Sequence, residues 1–150
     1  MTESRYKDNI IKAPMMKSVV FPQISHTQAF LFGGEHFKKL GGTSFTMNWS
    51  YLTRPFVMVD EKHTHDYDQV ICFLGGDPED ITQFGAEIEM CFGMEEEKQL
   101  INFPAFIFVP KGLVHGPLII RKVDQPIMYM DFTQTPFYHK SNVSGNPSKF

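Results

Sequence analysis

The chain of 150 residues reads as all-β, a sandwich or barrel of about nine short strands. Three observations predict this. Fifteen phenylalanines, set among β-branched residues, favour pleated, half-buried surfaces. Eleven glycines and ten prolines break the chain at short intervals. Apolar residues alternate or come in short blocks, and no long helical periodicity is present.

Residues 1–42 read as an N-terminal arm and the first strands. The arm begins polar, continues through Ile10-Ile11 and Ala13-Pro14, and is expected to pack on a partner subunit. Gln28–Phe32 predicts a strand closed by Gly33-Gly34, and His36-Phe37-Lys38-Lys39-Leu40 a short helix before Gly41-Gly42. Residues 43–132 hold the core of the barrel. Between Thr43 and Leu52, Phe45, Met47, Trp49 and Tyr51 share one face, and Thr46, Asn48 and Ser50 share the other. Trp49 and Tyr51 belong either to the core or to the mouth of the barrel, where they would line a substrate pocket.

Phe56–Lys62 and Gln69–Leu74 are the next strands, and Gly75-Gly76-Asp77-Pro78 stops the second. After a polar loop over 77–86, Ile88, Met90 and Phe92 alternate with Glu87, Glu89 and Cys91. Glu87 and Glu89 either face water or offer one carboxylate to the pocket. A charged hairpin turn over 93–98 leads to Gln99–Phe103 and Ala105–Val109, two strands bent at Pro104. Leu113–Arg121 carries His115. In Pro126–Phe132, Ile127, Tyr129 and Asp131 alternate with Met128, Met130 and Phe132. Parity does not choose the inner set, so Tyr129 and Asp131 are acid/base candidates only if they point inward. Residues 133–150 read as a C-terminal tail, polar and frayed from about Tyr138.

Composition narrows the function. One domain of this size buries a sizeable core. The net charge is −3, and the only basic pairs, Lys38-Lys39 and Arg121-Lys122, read as solvated surface, against nucleic acid binding. The start, Met1-Thr2-Glu3-Ser4-Arg5, lacks the apolar region of a signal peptide. No apolar run nears the roughly 20 residues of a membrane helix, so a cytoplasmic protein is expected. Cys72 and Cys91 each sit in an apolar strand-like run and read as buried thiols without a CxxC motif.

Chemistry is concentrated in His63-Thr64-His65, Gln69 and the stretch Pro110-Lys111-Gly112-Leu113-Val114-His115. Alternate residues of a strand share a face at about 3.3 Å rise each, which puts the Cα atoms of His63 and His65 about 7 Å apart. Two imidazoles so placed can lean onto one ion with bonds of about 2.1 Å. His115, after a turn that ends an apolar run, is the best third ligand. A plain surface pair is the competing reading for His63 and His65; the added Gln69 and Pro-x-Gly-x-x-His element favours a metal site. Asp66 and Asp68 are rival carboxylates in what reads as a hairpin turn.

These residues resemble the two motifs of the cupin superfamily. The first motif's spacing is kept by His63-x-His65-x3-Gln69-x6-Gly76, and the second's by Pro110-x-Gly112-x2-His115. The likeness covers about residues 43–132. Three family positions differ: Val57 and Pro104 stand for the opening glycines, which are turn or packing positions, and Ile119 for the closing Asn. One departure touches chemistry: Gln69 replaces the usual Glu ligand. Gln69 either binds weakly through its amide oxygen or orients bound water, and in both cases a divalent ion keeps its full charge.

The resemblance implies a cupin-like double-stranded β-helix, a jelly-roll barrel, and with no internal repeat it implies a single one. It implies a divalent ion, Fe, Mn, Zn or Ni, held by His63, His65 and His115 with Gln69. It also implies a small oxygen-bearing molecule as substrate, the ion acting as Lewis acid in a dioxygenase, isomerase, decarboxylase or lyase reaction, and the charge left uncompensated by Gln69 favours an anionic or chelating oxygen. A non-catalytic cupin binding a sugar or organic acid is the alternative. A homodimer is expected by the same analogy.

Overall fold

In the computed structural model, residues 6–10, 15–16, 28–36 and 44–143 are described. Most of the N-terminal arm, the greater part of the helix expected over His36–Leu40, and the Gly41-Gly42 break lie outside them. Within the described part, one turn of α-helix, α1, spans Gly33–His36, and a 3-10 turn spans Lys7–Asn9.

The strands are β1 (Met15–Met16), β2 (Gln28–Phe32), β3 (Thr46–Leu52), β4 (Phe56–Val59), β5 (His63–Thr64) and β6 (Gln69–Gly75). They continue as β7 (Ala86–Phe92), β8 (Glu97–Ile101), β9 (Ala105–Val109), β10 (His115–Val123), β11 (Ile127–Thr133) and β12 (Ser141–Asn142). One antiparallel sheet runs β1-β2-β3-β11-β6-β9; the other runs β12-β5-β10-β7-β8, with β4 also pairing β10. Between β5 and β11 the chain crosses repeatedly from one sheet to the other, the connectivity of a double-sheet jelly roll. The nine strands expected are β2, β3, β4 and β6 to β11; the short strands β1, β5 and β12 are additions.

Side-chain parity explains how the sheets meet. Ile127, Tyr129, Asp131 and Thr133 of β11 are buried and alternate with half-buried Met128, Met130 and Phe132. On β3 the inner set is Thr46, Ser50 and Leu52. Register then builds rows across the first sheet. Leu52 lies opposite Ile127; Ser50 lies opposite Tyr129, which is opposite Phe73; Asn48 lies opposite Asp131, which is opposite Ile71; and Thr46 lies opposite Thr133, which is opposite Gln69. The rows pass from apolar to polar along the strands. One end is therefore a hydrophobic plug, where Leu52, Phe73 and Ile127 pack with Ile88, Met90, Leu118 and Ile120 of the second sheet. Cutting Phe73 back to alanine there should cost about 3–5 kcal/mol. The other end is polar and carries the site.

Not every apolar side chain goes inward. β9 is an edge strand among the described residues, and its Phe106 and Phe108 are mostly exposed while Val109 is buried. No helix among the described residues is long and apolar enough to cross a membrane.

Candidate metal centre

His63 on β5 lies directly opposite His115 on β10. This pairing converts a separation of 52 residues in sequence into a ring-to-ring distance of 4.1 Å. His65, two residues on, brings its ring within 4.9 Å of His63 and 5.0 Å of His115. One nitrogen from each of the three rings lies within 4.8 Å of the others, and all three side chains are buried.

Two glycines lock the motifs together. Gly112 has φ +81°, which the turn after Pro110 needs, and its N–H donates to the His65 carbonyl at 2.9 Å. Beside it the Lys111 N–H donates to Asp68 Oδ1 at 2.8 Å. Gly116 has φ +97°, and a Cβ there would meet the Glu61 carbonyl at 2.5 Å. The chain on either side of His115 thus approaches the His63–His65 stretch closely.

Backbone carbonyls also set the tautomers. Nδ1 of His63 lies 3.2 Å from the Glu61 oxygen, Nδ1 of His65 2.8 Å from that of His139, and Nδ1 of His115 2.9 Å from that of Leu113. A carbonyl only accepts, so each Nδ1 carries the proton and each Nε2 keeps its lone pair. Burial works in the same sense. Desolvation, with the neighbouring His115 charge, lowers the His63 pKa to about 3. Desolvation lowers His65 to about 4, and it lowers His115 as well. All three are neutral near pH 7, as metal ligands must be.

Gln69 projects from the inner face of β6, buried, and its Nε2 donates to Asp131 Oδ1 at 2.9 Å. Its Oε1 and the Nε2 of His65 are buried with no hydrogen-bond partner. An orphaned acceptor on one of three clustered neutral imidazoles, with a second on Gln69 from the inner face of β6, fits a divalent cation.

No family model matches the chain, and no curated protein does. Solved structures do. The polyketide cyclase RemF from Streptomyces resistomycificus aligns over 95% of this chain and 86% of its own, at 15% identity and TM-score 0.54. Peruvianin-I, a cysteine peptidase from Thevetia peruviana latex, aligns over 93% and 80%, at 13% identity and TM-score 0.58. An oxalate decarboxylase from Lactobacillus farciminis, solved with formate, covers 87% of this chain at 13% identity and TM-score 0.55. This chain spans only 33% of that protein's length. RemF and the oxalate decarboxylase are cupin-fold proteins. This chain has the cupin fold. Identities this low establish the fold and leave the activity to the site.

The cupin barrel sorts the remaining candidates by face. Tyr129 and Asp131 point inward; desolvation raises the Asp131 carboxyl to about 6 although the Gln69 hydrogen bond lowers it. Glu87 and Glu89 are not brought to the centre, because Ile88 and Met90 take the inner face of β7. Glu89 instead meets Arg121 Nη2 at 2.6 Å and Lys98 Nζ at 3.3 Å on the outside. Trp49 and Tyr51 also face out, 41% and 43% exposed, since Ser50 and Leu52 take the inner face of β3. Asp66 is exposed against His139 Nε2 at 2.5 Å, and Asp68 holds the Lys111 turn; neither joins the three histidines. Cys72 and Cys91 are free and buried, and burial raises both thiols, which opposes a reactive thiolate.

Three contributors escape the sequence reading. Tyr67 is buried and stacks on His65 at 4.7 Å, so the inward set is His63, His65, Tyr67 and Gln69. Two-residue spacing could have found it. Tyr138 meets the His65 ring edge-on at 5.4 Å. The His139 carbonyl accepts from His65 Nδ1 and from the Tyr67 hydroxyl. The frayed tail expected from Tyr138 is corrected as far as Val143: Ser141 and Asn142 pair with Thr64 and His63, strapping the chain across β5. Only its polar composition was readable beforehand, and backbone carbonyls leave no trace in composition.

Proposed function

We propose that this chain is a metal-dependent cupin acting on a small, oxygen-bearing, anionic molecule. His63, His65 and His115 hold the ion through Nε2, and Gln69 offers its amide oxygen as a fourth, neutral ligand. The observation that carries this reading is the set of three Nδ1 groups each engaged by a backbone carbonyl. Inert core histidines need neither that shared tautomer nor ligand nitrogens within 4.8 Å of one another.

When bound, a divalent Fe, Mn, Zn or Ni ion supplies Lewis acidity toward a carboxylate, enolate or hydroxide oxygen. With no carboxylate among the four ligands, its charge is not offset in the first contact shell, and an anionic oxygen is favoured. The rest is done by the chain. Tyr67 and Tyr138 wall the His65 side with aromatic surface and keep water from that ring. Asp131, inward, buried and hydrogen-bonded to Gln69, is the carboxyl group assigned to take or return a proton. The name of the oxalate decarboxylase neighbour, a protein acting on a small dicarboxylate, agrees with such a ligand class. The non-catalytic alternative drew on an aromatic pocket around Trp49 and Tyr51, and their outward placement removes that support.

The test is spectroscopic. The protein loaded with Co(II) is titrated with small carboxylic, hydroxy and keto acids while its visible bands are recorded. Saturable band shifts with at least one anion are expected. A bound cobalt whose spectrum no anion alters would contradict an oxygen-accepting site.

A further inference from the structure

Resting on the metal reading above, the geometry points to Asp131 as the positioning residue that makes Gln69 an oxygen ligand. It does so by fixing which end of the amide is left free. The starting point is amide chemistry. Gln69 has one acceptor and one donor end, and only the acceptor end binds a cation. As an anion, a carboxylate accepts and has no proton to give. The 2.9 Å contact with Asp131 Oδ1 therefore takes the Nε2 end, and Oε1 is left at the other end of the amide, buried and without a partner.

Topology makes this pairing hard to avoid. β6 and β11 are neighbours in the first sheet, and Asp131 lies opposite Ile71, one inward position along from Gln69 on the same face. Both side chains are buried, 4% and 8% exposed, so the hydrogen bond has little competition from water. A charge-assisted bond to Nε2 also draws electron density toward Oε1, strengthening an otherwise weak neutral ligand. The single Glu of the family motif is replaced here by an amide and the neighbouring carboxyl group that fixes it.

A double-mutant cycle tests this through metal affinity, measured by chelator competition with Mn(II) and Co(II), alongside melting of the metal-free protein. D131N frees the amide to turn, and a roughly tenfold or greater loss of affinity is expected. Q69E sets two carboxylates against each other in a buried site, and the metal-free protein should melt lower than wild type. In Q69E/D131N the new amide at 131 donates to the new carboxylate at 69. Affinity should return to the wild-type level or above it.

Wild-type affinity in D131N would overturn the positioning role while the metal reading stands. Loss in D131N without rescue in the double variant would assign Asp131 a merely structural part and overturn the proposal. A wild-type protein that takes up neither ion would overturn the metal reading and this inference with it.

Discussion

At His63, His65 and His115, burial and hydrogen bonding act on different protons. The carbonyl bonds hold one proton on each Nδ1, while burial opposes adding a second at Nε2. The consequence for pH follows from linkage. In the unfolded chain these rings take up protons near the ordinary imidazole value of 6.5; in the folded chain His63 and His65 do so only near 3 and 4. Below about 6.5 the unfolded state binds more protons, so stability falls as pH falls through that window. Asp131 has the opposite sign. Its folded pKa of about 6 lies above the ordinary carboxyl value of 3.8, so between those values protonation favours the folded state. Three histidines outweigh one carboxyl. The melting temperature of the metal-free protein should therefore drop continuously from pH 7 to pH 4, and with the three histidines changed together to Gln most of that drop should vanish. A flat profile across the window would contradict neutral buried imidazoles.

Among the elements, the least expected is the strap from Tyr138 to Asn142. It pairs β12 with β5 and lends a carbonyl to His65 and Tyr67. Ending the chain after Phe137 leaves the β3–β11–β6 pairing untouched, so a folded barrel is expected by circular dichroism. Its metal affinity should nonetheless fall roughly tenfold or more, the usual effect of removing a histidine's supporting acceptor. Unchanged affinity would reduce the strap to a cover. The elements also show what could be read in advance. Turn chemistry at Pro110–Gly112 and the two-residue step from His63 to His65 identified the three histidines, because local spacing dictates those geometries. The inner face of β3, β7 and β11 was not legible, since alternation is symmetric and either set can face inward. Outward Trp49 and inward Asp131 show that size and polarity do not decide the face at the polar end. The strap was not legible for another reason: it acts through backbone carbonyls, which every residue carries.

For the whole molecule, the polarity gradient along the strands is the organising fact. Leu52, Phe73, Ile88 and Ile127 stabilise the fold at one end without help from the histidines. The polar end can therefore hold orphaned acceptors and lose a ligand without collapse of the sheets. This separation makes the central claim, a metal held by three histidines, directly testable. The decisive measurement is the metal content, by elemental analysis, of wild type and His115→Ala purified anaerobically without chelator. About one equivalent of a divalent transition metal in wild type and a small fraction of that in the variant, with both proteins folded, is the result predicted. Equal metal in both, or none in wild type and none taken up on reconstitution, would contradict it.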